Sequence, residues 1–454
     1  MVVADDLDTH ELGCYGGRNV ATPHLDKLAA EGMLFKRMYT PQAMCAPTRA
    51  ALYTGLHPMH SGVVRNHAST KKEVKSVVQY LSDLGYRVGI AGKTHVYPAS
   101  VYPFEYVEGF PKGSMRKAED ETYDLKGIRS FMTRDPEQPF CLFVCSSMPH
   151  APYVVGDASK FDPARLILQP HWVDTPETRR EFRDYLAEVA ALDQQVGDVL
   201  QVLEEARLTE KTLALFSGEQ GSGFPGAKWS CYNAGVRSGF IARLPGKIKG
   251  AAQTEALVMC EDLVPTLIEL AGGQPPPELD GRSFLGVLLG RDSRLRDYAY
   301  GMCNMLSDGR PYPSRFIVSP NYKLIANFTP EKPYTNPHAL HEPWRSWLLL
   351  SKKDQAARKL VDRLIRRPAV QMFDLQKDPW ELENVAERPE LAQTKQELEV
   401  QLQDWMKEQA DPGAELDNMT EEQMRQLWPG RRAAAEKIRR TEKMVDKLIK
   451  LQSE

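Results

Sequence analysis

No stretch of this 454-residue chain is long and apolar enough to span a bilayer, which excludes a membrane-spanning helix. Charge of one sign is also lacking. With 58 Lys and Arg against 61 Asp and Glu, the net charge is -3, and no basic excess points to nucleic acid. Cysteine is scarce: 7 residues scattered over the whole length do not make a disulfide framework. Cys141 and Cys145 lie on one expected strand and cannot pair along an extended segment. Cysteine usage therefore leaves the compartment open. Internal repeats and low-complexity tracts are absent. No secretory signal opens the chain; Met1-Val2-Val3-Ala4 reads as the end of a buried strand, and upstream residues are expected to be missing from this sequence. What remains is the composition of a globular protein, 26% charged, long enough for one large core plus a smaller appended unit.

The most informative stretch is residues 44–55, M-C-A-P-T-R-A-A-L-Y-T-G. Pro47 suits the first turn of a helix, where its missing N–H costs nothing, and Gly55 suits the stop. Cys45 is thereby placed at a helix N-terminus, where unpaired N–H groups and the macrodipole favour negative charge. Arg49, one turn in, adds a permanent cation. Together they form an anion-loving pocket with a reactive side chain at its mouth.

Four apolar strand-like runs each end in polar residues. The first, Val2–Ala4, is followed by Asp5-Asp6, a costly pair behind a buried strand unless something positive sits between them. Such carboxylates are good ligands for calcium or magnesium. The strand expected over 87–91 leads to Gly92-Lys93-Thr94-His95, in which a cation and an imidazole two apart can reach one anion. The run 140–146 leads to Met148-Pro149-His150-Ala151-Pro152, which holds His150 in a proline-stiffened loop. The run 213–216 leads to Ser217-Gly218-Glu219-Gln220-Gly221. Helical spacing is expected after Thr22-Pro23, over 73–84, from Thr175-Pro176 to about 206, and from Asp262 to Gly272-Gly273. The apolar stripe of the 175–206 helix reads as core with no chemistry. Strands alternating with helices argue for an open α/β sheet, whose ligands bind beyond the carboxyl ends of its strands. Short strands over 314–318, 322–328 and 371–374, closed by a helix over 390–409, read as a small antiparallel sheet. A polar tail follows, helical in pattern over 431–451.

C-x-P-T-R with T-G beyond it resembles the signature of the formylglycine-dependent sulfatase family, within the alkaline-phosphatase-like superfamily; Thr48 stands where Ser is usual. Asp5-Asp6, Gly13-Cys14-Tyr15-Gly16, Gly92-Lys93-Thr94-His95, Leu279-Asp280-Gly281-Arg282-Ser283 and Lys377-Asp378-Pro379-Trp380-Glu381-Leu382-Glu383-Asn384 resemble further family elements in the expected order. Tyr102-Pro103-Phe104, Asp193-Gln194-Gln195-Val196-Gly197, Phe224-Pro225 and Tyr312-Pro313-Ser314-Arg315 look more like the heparan N-sulfatase (sulfamidase) branch. Two departures stand out. Ser147-Met148 occupies the place of a His-Asp pair, and Glu219-Gln220 replaces Asp-Asn or Asp-His, each side chain one methylene longer.

The resemblance implies a large mixed, mostly parallel sheet flanked by helices over residues 1–295, a smaller antiparallel-sheet subdomain over 296–410, and a charged tail over 411–454. It implies that Cys45 is oxidised to formylglycine and that one calcium ion is held by Asp5, Asp6, Glu219 and Gln220 together with position 45. It implies that Arg49 and Lys93 stabilise developing charge, that His95 is the base for sulfate release, and that His150 and Lys228 grip the sulfate. The expected substrate is a sulfated sugar, N-sulfoglucosamine of heparan-type glycans first among them. The expected partners are a formylglycine-generating or sulfatase-maturating enzyme and a second copy in a homodimer, and the expected location is outside the cytoplasm. The alternatives are an O-sulfatase on another glycan or aryl sulfate, a phosphodiesterase or phosphonate hydrolase of the same superfamily, or a glycan-binding module if Cys45 stays a thiol.

Overall fold

Strand β1, only Val2–Ala4, lies at the centre of the larger sheet, hydrogen-bonded on both sides. The structure, a computed structural model, describes residues 1–113, 122–307, 310–334, 342–418 and 423. The helix expected over 431–451 falls outside them.

The larger sheet adds β2 (Met33–Tyr39), β3 (Arg87–Gly92), β4 (Glu105–Val107), β5 (Phe140–Cys145), β6 (Ala214–Gly218), β7 (Arg237–Arg243), β8 (Ala252–Thr254) and β9 (Val258–Met259). Its order is β4-β3-β5-β1-β6-β7-β2-β8, with β9 also pairing with β2. β1 runs parallel to β5 and β6, and β3 parallel to β4 and β5. Only β7 breaks the pattern, antiparallel to both β6 and β2. The expected mixed, mostly parallel α/β sheet is therefore present.

Alternation along β1 sends Val2 and Ala4 into one hydrophobic core and Val3 into another. On the first side the Pro176–Glu205 helix supplies Leu186, Val189 and Val196. On the second, the Cys45–Thr54 helix supplies Leu52 and Tyr53, and the Leu263–Leu270 helix Leu263 and Val264. Burial on both faces is why β1, β5 and β6 read as continuous apolar runs.

The long helix starts where expected, with the Thr175 hydroxyl accepting from Thr178 N at 3.1 Å. The helix expected over 73–84 is shorter, Val77–Asp83. Ser76 caps it: the Ser76 amide donates to Gln79 Oε1 at 2.9 Å, so residues 73–75 lie ahead of the first turn.

The second sheet is an antiparallel meander of β10 (Ala299–Met305), β11 (Pro311–Val318), β12 (Tyr322–Asn327) and β13 (Val370–Asp374). Leu398, Leu402 and Trp405 of the Ala392–Glu408 helix pack on its Ile317, Leu324 and Met372. All seven cysteines are unpaired. Among the described residues no helix is long and apolar enough to cross a membrane.

Candidate active site

Each strand ladder runs one residue past its strand, and this fixes the side chains at the sheet edge. Asp5 N donates to Met148 O at 3.0 Å, Glu219 N to Ala4 O at 3.0 Å, and Lys93 N to Cys145 O at 3.1 Å. Asp5, Asp6, Lys93, His150, Glu219 and Gln220 are thereby brought to the carboxyl ends of β1, β3, β5 and β6. The Cys45–Thr54 helix meets them with its N-terminus. All ten of its residues are buried, and Gly55 ends it in the left-handed region at φ 72. Lys228 arrives on the loop after β6, where Gly221 packs so closely under Ala234 O that a Cβ would collide. Lys228 N donates to Ser222 O at 3.0 Å and Trp229 N to Ala43 O at 3.0 Å, which ties that loop to the segment before Cys45.

Nine of the ten residues singled out from the sequence form one buried network. Cys45 Sγ lies 3.6 Å from Asp5 Oδ1 and 3.6 Å from Gln220 Nε2. Lys93 Nζ pairs with Asp5 Oδ2. Lys228 Nζ reaches both oxygens of Asp6, at 2.6 and 2.8 Å; Gln220 Nε2 donates to Asp6 Oδ1 at 2.5 Å, and His150 Nε2 is 3.5 Å from Asp6 Oδ2. Arg49 Nε lies 2.5 Å from Glu219 Oε2, both side chains fully buried, and Arg49 Nη1 donates to Lys93 O at 2.8 Å. The tenth, His95, meets His67 instead: His95 Nε2 is 3.1 Å from His67 Nδ1.

The electrostatics follow from burial among opposite charges. Burial alone would raise the Asp5 carboxyl, but Lys93, then His150, Glu219 and Arg49, hold it well below the usual range. Burial would lower both lysines, but Asp5 raises Lys93 and Asp6 raises Lys228, so both stay cationic. Burial lowers His150, with Lys228 and Lys93 opposing the two aspartates, which keeps that imidazole neutral. His95 is pushed down to about 2 by burial, then by Lys93, His67 and Arg49.

The oxygen donors of the site, from Asp5, Asp6 and Gln220, suit a hard cation. One ligand atom each from Asp5, Asp6, Cys45 and His150 lies within 4.8 Å of the others. Gln220 Oε1 is buried with no hydrogen-bond partner among the described residues, an acceptor free for a metal. Glu219 is not one of that group of four; its extra methylene carries the carboxylate to Arg49. An anion also has its donor, since Arg49 Nη2 is buried without a hydrogen-bond partner among the described residues.

Two residues on the Pro176–Glu205 helix belong to this machinery and were not singled out from the sequence. Gln195 Oε1 accepts from Ser146 Oγ at 2.7 Å, and that hydroxyl accepts from Met148 N. Glu188 Oε1 accepts from Val154 N at 2.8 Å and Val155 N at 3.2 Å. Seven apart, they share a helix face and hold both ends of the loop that carries His150. They interrupt an otherwise apolar stripe with buried polar groups, which was the available signal. Glu188→Ala removes the acceptor of two loop amides and is expected to cost about 1–3 kcal/mol, read by urea denaturation. Faster hydrogen exchange should be confined to Val154 and Val155; unchanged exchange there would contradict the anchoring.

An α/β sheet whose carboxyl edge buries carboxylates, three cations and a cysteine at a helix N-terminus suits a hydrolase of anionic esters. The chain belongs to the sulfatase family: the family model described as Sulfatase matches residues 1–273. A second model, N-sulphoglucosamine sulphohydrolase, C-terminal, matches residues 225–336. An ulvan-active sulfatase of Formosa agariphila is 32% identical over 414 residues, covering 90% of this chain and 80% of the relative. Human N-sulphoglucosamine sulphohydrolase is 28% identical over 456 residues, covering 91% and 90%. Among solved structures, BT4656 in complex with its substrate D-glucosamine-2-N,6-O-disulfate superposes with a TM-score of 0.70 at 20% identity, covering 91% of this chain and 98% of that one, a likeness of fold. The protein is a sulfatase, and its human relative is named for the hydrolysis of N-sulphoglucosamine.

Proposed function

We propose that the chain removes sulfate from sulfated glucosamine, with N-sulfoglucosamine of heparan-type glycans as the preferred unit. The observation that carries this is the match of residues 225–336 to the N-sulphoglucosamine sulphohydrolase C-terminal model, on a chain that gathers Asp5, Asp6, Cys45 and His150 at one point. Asp5, Asp6 and Gln220 would hold one calcium ion, with Glu219 beside them. Formylglycine formed from Cys45 would supply a hydrated aldehyde as nucleophile, and a calcium ion held there would lower the cost of ionising it and help orient the sulfate. Arg49 offers its spare Nη2 to a sulfuryl oxygen. Lys93 and Lys228 stay charged in a buried site, where a cation counts for more against developing negative charge than it would in water. Lys228 and His150 both lie against Asp6 and would grip the sulfate, Lys228 protonating the leaving amine or hydroxyl. His95, kept neutral, is assigned as the base for sulfate release.

This function requires a maturation enzyme as partner, and we place the protein outside the cytoplasm. We also propose the unit boundary near residue 296, just ahead of β10.

The higher identity to an ulvan-active sulfatase favours a second reading, O-sulfate removal from another polysaccharide. Glucosamine monosaccharides differing only in sulfate position separate the two. The N-sulfated sugar should turn over about tenfold or more faster than the 6-O- or 3-O-sulfated one, a difference of at least about 1.4 kcal/mol in the barrier. Turnover of O-sulfates alone would replace the first reading with the second. Aryl phosphate, tested beside aryl sulfate, should be the poorer substrate.

A further inference from the structure

His95 and His67 come from different segments and meet at the rim of the site. His95 stands two residues beyond Lys93; His67 lies in the loop following the Pro58–Ser61 helix, beside Asn66, whose Oδ1 accepts from Ala46 N at 3.0 Å. The ring centroids are 4.8 Å apart. Both residues adopt left-handed backbone, φ 63 for His67 and φ 50 for His95, a conformation that a non-glycine residue holds only when its surroundings enforce it. His67 is exposed to water. The other nitrogen of His95, Nδ1, is buried with no hydrogen-bond partner among the described residues. One edge of the His95 ring thus faces inward with a free nitrogen, and the opposite edge touches an exposed imidazole.

The charged groups acting on His95 are Lys93, His67 and Arg49 against Asp5, and with burial they disfavour an imidazolium there. A proton taken up at Nδ1 is therefore poorly held unless it is passed on at once. We infer that His95 and His67 form a two-ring proton relay between the pocket and solvent. A proton leaving a hydroxyl in the pocket enters His95 Nδ1 as the Nε2 proton crosses to His67 Nδ1, and His67 gives its own Nε2 proton to water. Each ring gains one proton and loses one, so no charge stays on the buried ring. The relay rests on the assignment of His95 as the base, and makes His67 a residue that acts through His95.

The test compares His67→Ala and His95→Ala in the matured enzyme. His67→Ala should lower kcat by about a hundredfold at unchanged KM, the lower end of what a lost proton-transfer step costs. Because His67 is exposed, His67→Ala should shift the thermal midpoint by no more than about 5 °C, the cost of an alanine held in left-handed backbone. Imidazole in the buffer should restore its rate in proportion to concentration, while the parent stays indifferent. His95→Ala should lose turnover at least as severely. Nitrogen-15 NMR of the unmodified, thiol-bearing chain gives a readout independent of turnover: His95 should carry its proton on Nε2 at neutral pH, and lose that preference in His67→Ala. A parent-like kcat for His67→Ala without buffer dependence, beside an inactive His95→Ala, overturns the relay and leaves the base in place. An active His95→Ala overturns the base assignment itself. A His95 imidazolium at neutral pH contradicts the relay whatever the kinetics.

Discussion

Cys45→Ala is expected to leave a folded protein that turns over essentially no sulfate ester. The residue is buried, but an alanine there removes one sulfur atom and a long 3.6 Å contact to Asp5, so the stability cost should be about 1 kcal/mol. The nine other residues of the Cys45–Thr54 helix stay packed, and Met44 keeps its bond from Thr48 N at 3.0 Å. Activity behaves differently. With no side chain at position 45 that could become a nucleophile, what would remain on the proposed roles is binding and charge stabilisation by Arg49, Lys93 and Lys228. Losing the nucleophile of a covalent hydrolase lowers kcat on the order of 10^4–10^6-fold. Circular dichroism and a thermal melt check the fold, and release of sulfate from a nitrophenyl sulfate checks the rate. A variant that kept a tenth of parental activity would remove Cys45 from the chemistry.

The second large effect concerns calcium. In the described geometry Asp5 and Asp6 are each matched by one lysine. On the proposed assignment, a divalent ion beside them would add two positive charges beyond those of the lysines, and a bound sulfate group would supply the balance. Asp6→Asn keeps the shape but halves the anionic ligand charge and weakens the hold on Lys228, which bonds both Asp6 oxygens. Calorimetry should show the parent gaining about 2.7 kcal/mol of stability at a calcium concentration one hundred times its Kd. The variant should gain little, and its kcat should fall about 10^2–10^4-fold, the worth of several kcal/mol of metal-assisted charge stabilisation. Chelation of the parent should reproduce the loss, and added calcium reverse it. Calcium affinity in Asp6→Asn equal to the parent would take Asp6 out of the metal site.

Much of this was legible in order and spacing. The apolar runs that became β1, β3, β5 and β6 each announced a buried parallel strand, and the polar residue after each one arrived at a common edge because parallel strands end on the same side. Cys45 at its helix N-terminus was equally plain from Pro47 and Gly55. The strands β2 and β7 went unread. Their antiparallel pairing carries a register shift between Phe35 and Met38, and Lys36 and Arg37 break the apolar run of β2. The start of the Val77–Asp83 helix was overrun because Val74 keeps the helical spacing, while the Ser76–Gln79 cap decides the boundary. Glu188 and Gln195 left one sign, polar residues within an apolar stripe, but what they do, like what His67 does, was hidden for a different reason. Their roles lie in contacts with segments 34, 49 and 28 residues away, and no local pattern encodes such a contact. The extra methylene of Glu219 was visible, but not its consequence, the turn of that carboxylate toward Arg49.

The most direct measurement is the mass of the proteolytic fragment containing Cys45, taken from active enzyme and paired with the specific activity of each preparation. Activity should rise in proportion to the fraction carrying an aldehyde at position 45, and the remaining thiol-bearing chains should contribute nothing. Full activity from a preparation whose Cys45 is entirely thiol would contradict the assignment of a converted cysteine as the nucleophile.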